Sequence, residues 1–479
     1  MSTSSLYSQL PTSYEESSGD SALRAATKRK TSKYVFGHKT RMYIMMLLLI
    51  CLTLPQMNSI IFNFTVICMN DLIEEHHARN LTGSHWMESS TKKSLIFSAS
   101  AVGAVIGLVP SVPLIDYLGI RVILTISGII SAIGTLLFPL ATAHSYYSVI
   151  CCRVLHGLGV SILFTVVGVI PGVWAPSNET GTFLAILSCA FQLSMIICMP
   201  ISGILCESSA FGWPSIYYIF GCSTILFFIV FFVFYADSPR LHRNVSEKEL
   251  ELIEEGKLET VKGAIPYWAI CTDQTVLAAW LSVFGASFAF TILTFYGPTY
   301  LKDVLKFDVK ETGYAAALPF ITSALVKFAA GGISDRLQFL SEKFRFTFCT
   351  VLSQGSVVLG LLIMAMSTSR NVAQFAYTFA ITSSGLNIVG NIKCIQLRCR
   401  QHVHFAITVI SVCAYLIHFG APIVVGRLTS ETGNTSENWS RLFIIVSVIT
   451  VATNAPFPFL TSEEPGPFVR AVKKASEYV

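Results

Sequence analysis

Arg153 and His156 stand three residues apart in "CCRVLHGLGVSILFTVVGVIPGVWAP" (151–176), a stretch otherwise almost free of charge. At i and i+3 on a helix the two side chains share a face, with Gly157 beside them. A guanidinium in an apolar setting binds a carboxylate or phosphate through two parallel hydrogen bonds. An imidazole next to it titrates near neutral pH and can carry a proton. Such a pair is suited to drawing an anion, with an accompanying proton or cation, into a low-dielectric site. Two plainer readings stand beside this one. Arg153 can instead snorkel to the outer interface or satisfy helix-end carbonyls, and His156 can pack as a neutral ring with one hydrogen bond.

Further polar residues interrupt apolar runs. Asn58 and Asn63 lie in "LPQMNSIIFNFTVICM" (54–69), and Asn387 and Asn391 are one turn apart, followed by Lys393. Amides in such runs line a cavity or hold helices together. The candidate solute-binding set is Arg153, His156, Asn63, Asn387, Asn391 and Lys393, with His156 as the coupling group. Lys327 lies about 12 Å from the end of its run, eight residues before Asp335. His418 stands alone on its run and reads as structural. No P-loop, paired metal ligand or nucleophile elbow is present, so an enzyme is not expected. Thirteen cysteines show no metal spacing and lie mostly inside apolar runs. Neither a metal site, a cofactor nor a disulfide framework is expected.

The elements that must position these groups are membrane helices. Of 479 residues, 53% are hydrophobic and 13% charged, and the mean hydropathy is +0.61. Soluble domains carry about 25% charged residues. A helix crosses a bilayer in about 20 apolar residues. Twelve runs meet that length: 42–69, 94–115, 122–142, 147–174, 182–205, 215–236, 276–301, 314–334, 346–367, 374–396, 404–426 and 441–460. Residues 1–41 are polar and basic, with no cleavable signal expected before the first run. The basic stretch "KRKTSKYVFGHK" reads as a topology and lipid-contact signal, not a nucleic-acid site. "YSQL" (7–10) has the form of a tyrosine-based sorting signal.

With the N-terminus in the cytosol, 21 of the 33 Lys and Arg fall in inner segments and 9 in outer loops. That bias places both termini inside. Sequons at Asn80, Asn434 and Asn438 then lie outside and are candidate glycosylation sites, while Asn178 and Asn63 should stay bare. Residues 1–41 form an N-tail, 42–236 a six-helix half, 237–275 a linker, 276–460 a second half and 461–479 a C-tail. In the linker, "SEKELELIEEG" predicts a short helix with Ser246 and Glu249 as capping box and Gly256 as stop.

The halves echo one another. "PISGIL" (200–205) answers "PIVVGRL" (422–428), "GWPSIYYIFG" (212–221) answers "NWSRLFIIVS" (438–447), and "PLIDYLGIR" (113–121) answers "GGISDRL" (331–337). The offsets are 219 to 226 residues. Two such halves about an axis along the membrane normal predict an all-α polytopic membrane protein of twelve helices in the major facilitator fold, its solute site at mid-depth between them. "PLIDYLGIR" resembles that superfamily's signature loop, which implies a cytoplasmic gate at Asp116 and Arg121, with Asp335 and Arg336 as its weaker copy.

The resemblance narrows further. "RVLHGLGVS…VWAPSNET" (153–180), "DSPRLHRNVSEKELELIEEGK" (237–257) and "YGPTYLKDVLKFDVKETGYAAALPF" (296–320) resemble the anion:cation symporter branch, which holds sodium/phosphate cotransporters, sialin and vesicular glutamate transporters. "GLNIVGNIKCIQLRCRQHVHF" (385–405) resembles its nematode members. The resemblance implies a secondary active transporter of an organic or inorganic anion, coupled to protons or sodium, in a plasma, endolysosomal or vesicular membrane. The partners implied are a small anionic solute and the lipid bilayer, and the expected working unit is a monomer. Arg153 falls on the family's arginine in the fourth helix. Val160 falls where many members carry a glutamate. Ser59, Phe97 and Ala286 fall roughly where vesicular members carry Arg, His and Arg, so vesicular-type glutamate transport is not implied. The alternatives are a facilitator of neutral or cationic solutes, or a receptor or scaffold on the same fold.

Overall fold

The computed structural model describes residues 37–78, 85–176, 179–255, 265–336, 340–367, 369–388, 390–430 and 436–469. Within a bilayer every backbone polar group must find a partner inside the protein, which leaves helices as the solution for runs like these. Among the described residues ten helices are long and apolar enough to cross: α1 Thr40–Thr65, α2 Ser90–Ser111, α3 Tyr117–His144, α4 Tyr146–Trp174, α5 Thr180–Glu207, α6 Gly212–Phe234, α7 Gln274–Val304, α9 Glu342–Met366, α11 Val403–Leu428 and α12 Ser436–Leu460. The remaining two positions hold α8, Val309–Arg336, and the interrupted α10. α8 carries charges at both ends and Lys327 within it, which lowers its hydropathy.

α10 departs from the expected continuous span. It runs Arg370–Ser384, tightens to a 3-10 turn at Gly385–Ile388 and restarts at Asn391–Cys399. Gly390 sits at φ −85°, ψ −93°, outside the helical region. A side chain there would press on Thr350, so a glycine admits the close approach of α9.

The linker helix forms at Glu247–Glu254, with the Ser246 hydroxyl accepting from the Glu249 N–H at 3.2 Å. The Glu249 carboxylate turns away to accept from the Arg41 N–H at 2.8 Å, and Arg41 also binds Glu179. This ties the start of α1 to the linker and to the turn before α5.

Two faces can be named by their loops. The linker face carries residues 237–255. The sequon face carries the α1–α2, α5–α6, α7–α8 and α11–α12 connections. On the sequon face Cys68 and Cys206 form a disulfide, Cα to Cα 6.1 Å, joining the ends of α1 and α5. This corrects the expectation of no disulfide. The two cysteines are 138 residues apart and only the fold brings them together.

The halves meet most closely near the sequon face. Gly203 of α5 packs on Val309 and Gly313 of α8, and Gly426 of α11 packs on Ser94 of α2. The Ser98 hydroxyl donates to the Phe419 carbonyl at 2.7 Å, and the rings of Phe97 and Tyr296 lie 4.9 Å apart. Deeper links are Tyr415 Oη to the Val160 carbonyl at 3.4 Å and Lys327 Nζ to Ser188 Oγ at 2.7 Å.

Candidate solute-binding site

α4 is started by a reciprocal capping box between Ser145 and Ser148, which fixes the register of the residues that follow. Arg153 lies seven residues beyond Tyr146, about 10 Å along the helix. Gly157 and Gly103 let α4 and α2 cross almost in backbone contact; a Cβ on Gly157 would sit 2.7 Å from the Ala104 nitrogen. That crossing sets the guanidinium directly against α2.

Arg153 is 1% exposed. Its Nη1 donates to the Ser59 carbonyl at 2.7 Å, Nε to the Ile96 carbonyl at 3.3 Å and Nη2 to Ser100 Oγ at 3.3 Å. The guanidinium carbon lies 5.3 Å from the Phe62 ring centre. His156 is fully buried, with Nδ1 3.4 Å from Arg153 Nη1 and Nε2 3.1 Å from Thr135 Oγ1. Arginine has no acceptor, so Nδ1 must accept and Nε2 carries the proton of a neutral ring. The Thr135 hydroxyl accepts a hydrogen bond from Nε2 and donates to the Ser131 carbonyl at 2.8 Å.

Asn63 lies one turn from Ser59 on α1, on the stripe that meets Arg153. It is 1% exposed, and neither atom of its amide has a hydrogen-bond partner. Arg153, His156 and Asn63 therefore belong to one neighbourhood in the first half. Phe97 closes it off: its ring lies 4.9 Å from Phe62 on one side and 4.9 Å from Tyr296 on the other.

The second-half candidates form a separate node. Asn391 Nδ2 donates to Asn387 Oδ1 at 2.7 Å and to Ser282 Oγ at 2.9 Å, and the Ser282 hydroxyl donates to Asn454 Oδ1 at 2.5 Å. This joins α7, α10 and α12. Its counterpart joins α1, α3 and α6, where Asn58 Nδ2 donates to Ser131 Oγ at 3.2 Å and Thr224 Oγ1 at 3.0 Å. Ser282 lies 224 residues after Asn58, so α1 and α7 match, as α6 and α12 do, while the third helix differs, α3 in the first half and α10 in the second. Lys393 pairs with Glu342 at 3.1 Å toward the linker face. His418 packs with its ring 5.0 Å from Phe295.

At the linker face Gly119 breaks the α2–α3 helix with φ +80°. The Asp237 carboxylate occupies the space where a Cβ would be, accepting from the Arg121 N–H at 2.9 Å. Arg121 Nε donates to the Phe232 carbonyl at 2.7 Å. Asp237 was not among the expected gate residues; its role depends on a turn that the sequence does not display. The side chains of Asp116, Asp335 and Arg336 lie outside the described residues, as do Asn80 and Asn434. Asn438 is in the first turn of α12 and 8% exposed.

The residues missed by sequence reasoning line a cavity of about 240 Å3 between the halves on the sequon face. It includes Lys93, Phe97, Lys302, Asp303 and Trp439. Lys93, Lys302 and Asp303 lie at helix ends, where a charge is ordinary, and only their convergence is informative.

Twelve helix positions in two repeated halves, with a buried arginine on the fourth, define a polytopic membrane protein. The Major Facilitator Superfamily family model matches residues 48–422, and the chain belongs to that family. It is 25% identical to human sialin over 387 residues, covering 79% of this chain and 77% of sialin. It is 25% identical to vesicular glutamate transporter 1 of Xenopus tropicalis over 355 residues, 71% of this chain and 60% of that protein's length. These are members of the anion:cation symporter branch. Among solved structures, a bacterial homolog of the human lysosomal transporter Spinster, inward-facing and unoccupied, superposes with a TM-score of 0.69. It is 14% identical, covering 88% of this chain and 96% of that one.

Proposed function

We propose that the chain is a secondary active transporter that carries a small anion by alternating access of its halves, with Arg153 as the principal anion contact in the buried site. The observation that carries this reading is the charge balance at Arg153. Its donors meet two carbonyls, a hydroxyl and an imidazole, and among the described residues no carboxylate pairs with it. Dipoles hold a guanidinium in place without neutralising it, and a buried cation without a counter-charge is costly. An incoming carboxylate or phosphate would supply that charge, and the unpartnered Asn63 amide would supply further hydrogen bonds.

The relatives support an anion: the vesicular glutamate transporter, by its name, moves one. The uncharged Ser59, Phe97 and Ala286 favour a substrate other than glutamate. Coupling is to a proton or sodium. A proton arriving at His156 Nδ1 would set donor against donor and push Arg153 off, which links protonation to release of the anion contact. Asn387, Asn391 and Lys393 would serve the second half, and Asp116, Arg121, Asp335 and Arg336 the linker-face gate. The disulfide and the sequon loops share one face, which supports placing that face in an oxidising compartment and the termini in the cytosol. Glycosylation would fall at Asn80 or Asn434 in preference to the buried Asn438.

The test is a liposome uptake screen over phosphate, sialate, glutamate, urate and nucleotides, with proton, sodium and potential gradients imposed separately. Uphill accumulation of an anion is expected. Uptake confined to neutral or cationic solutes, or no flux under any gradient, would reject the reading in favour of a facilitator or a scaffold.

A further inference from the structure

Helix ends from both halves surround the cavity on the sequon face. The first half contributes Lys93 and Ser94 of α2, and the second Thr299, Lys302 and Asp303 of α7 and Trp439 of α12. Two ammonium groups against one carboxylate leave one net positive charge. Both lysines are half-buried, and each is engaged across the seam. Lys302 Nζ donates to the Ile67 carbonyl of the other half, and Lys93 lies within electrostatic reach of Asp303. The walls are not uniformly polar. Val66, Met87, Phe97 and Val425 line it, as does Trp439, whose indole N–H is buried without an acceptor.

Lys93, Phe97 and Ser100 follow one stripe of α2 at i, i+4 and i+7. Ser100 touches Arg153, so the cavity lysine stands about 10 Å above the Arg153 node along the helix axis. Phe97 is the partition, its ring lining the cavity and packing on Phe62 below.

We propose that this cavity is a second anion site, a capture station on the sequon face that takes a small organic carboxylate between Lys93 and Lys302. Its apolar and indole walls suit a carboxylate with a carbon skeleton and a hydrogen-bonding substituent over a bare inorganic anion. With the seam closed, the Ile67 carbonyl and the Asp303 carboxylate hold the lysines. Parting of the halves on this face releases both toward an incoming anion, which reaches Arg153 when Phe97 turns aside. The role as a capture station rests on the anion-transport reading above; the charge chemistry of the cavity does not.

The experiment uses reactive aldehydes as probes on the full chain in nanodiscs. Glyoxylate carries a carboxylate and glycolaldehyde is a neutral analogue of similar size. Each condenses with a lysine amine with loss of water, and cyanoborohydride reduces the imine to a stable secondary amine read by peptide mass spectrometry. The ratio of glyoxylate to glycolaldehyde labelling cancels the intrinsic nucleophilicity of each lysine. At Lys93 and Lys302 it should exceed the ratio at the neighbouring exposed Lys92 by about tenfold, as a cleft of one charge sign concentrates counter-ions. Lys302→Gln should lower the ratio at Lys93, and Asp303→Asn should raise it. Excess glucuronate, but not glucose, should suppress labelling at both lysines. Arg153→Gln should leave the labelling pattern intact even if uptake is lost, which separates failure of this site from failure of the transport reading. Equal ratios at Lys92, Lys93 and Lys302, or suppression by glucose as strong as by glucuronate, would overturn the proposal.

Discussion

Gly157→Ala tests the geometry on which the Arg153 site depends. A Cβ at that position would lie 2.7 Å from the Ala104 nitrogen and 2.8 Å from the Ser100 carbonyl carbon, with the Ser100 oxygen closer still. Those are backbone atoms of α2 and cannot rotate away. Ordinary contact begins at 3.4 Å, so clearing the Ala104 nitrogen alone parts the helices by about 0.7 Å, the difference between 3.4 and 2.7, and clearing the closer Ser100 oxygen parts them further. The bonds from Arg153 to Ser100 Oγ and the Ile96 carbonyl, each 3.3 Å, would lengthen to at least about 4.0 Å and cease to be hydrogen bonds. Overpacking costs about 1–3 kcal/mol. The weakened bonds to a charged group add about 1.5–3 kcal/mol. At about 2–4 °C per kcal/mol the melting temperature of the detergent-solubilised protein should fall by several degrees. Uptake should fall with it. Gly168→Ala on the same helix is the control, because a Cβ there has nothing within 4 Å. It should match the parent or gain stability, since alanine is favoured over glycine in a helix by about 1 kcal/mol. A Gly157→Ala protein with parental melting and uptake would show that α2 and α4 do not cross in this way.

Other outcomes follow from the same structure. Ser282→Ala strands Asn391 and Asn454 in the second-half node and should cost about 1–3 kcal/mol, read as a lower melting temperature. Peptides containing Cys68 and Cys206 should migrate together without reductant and separate with it, and a membrane-impermeant reductant should act only from the sequon face. The Arg41 guanidinium bonded to Glu179 holds that carboxyl below its ordinary value of 4.5. A depressed pKa gives stability that is full above the ordinary value and is lost as pH falls through the lowered one. Glu179→Gln should therefore destabilise at neutral pH, by a margin that disappears under acid conditions below that range.

The helices were legible because a bilayer imposes length and apolarity on the sequence, and each of the twelve runs finds a helix close to its expected ends. The break in α10 was not, because "GLNIVGN" averages as apolar while its backbone leaves the helix at Gly390. Arg153 and His156 stood out as charge and titratable nitrogen in an apolar run. Their partners did not, because the carbonyls of Ser59 and Ile96 are backbone groups that any residue would offer. Asn58 and Asn391 show the limit from the other side. An amide in an apolar run looks the same whether it binds solute or joins three helices, and only the structure shows that Asn58 bonds across to Ser131 and Thr224 and Asn391 to Ser282. The cavity lysines sit at helix ends more than 200 residues apart, and only the seam between the halves brings them together.

The most direct measurement is initial uptake of the accumulated anion by Arg153→Gln protein in liposomes, with folding verified by a cooperative melting transition and parental helix content. Removing one partner of a buried charged contact costs about 2–5 kcal/mol. That predicts a fall in kcat/KM of roughly thirtyfold to several-thousandfold, with Arg153→Lys falling between because it keeps the charge and loses the fork. Uptake by folded Arg153→Gln protein equal to that of the parent would contradict a role for this arginine in binding the anion.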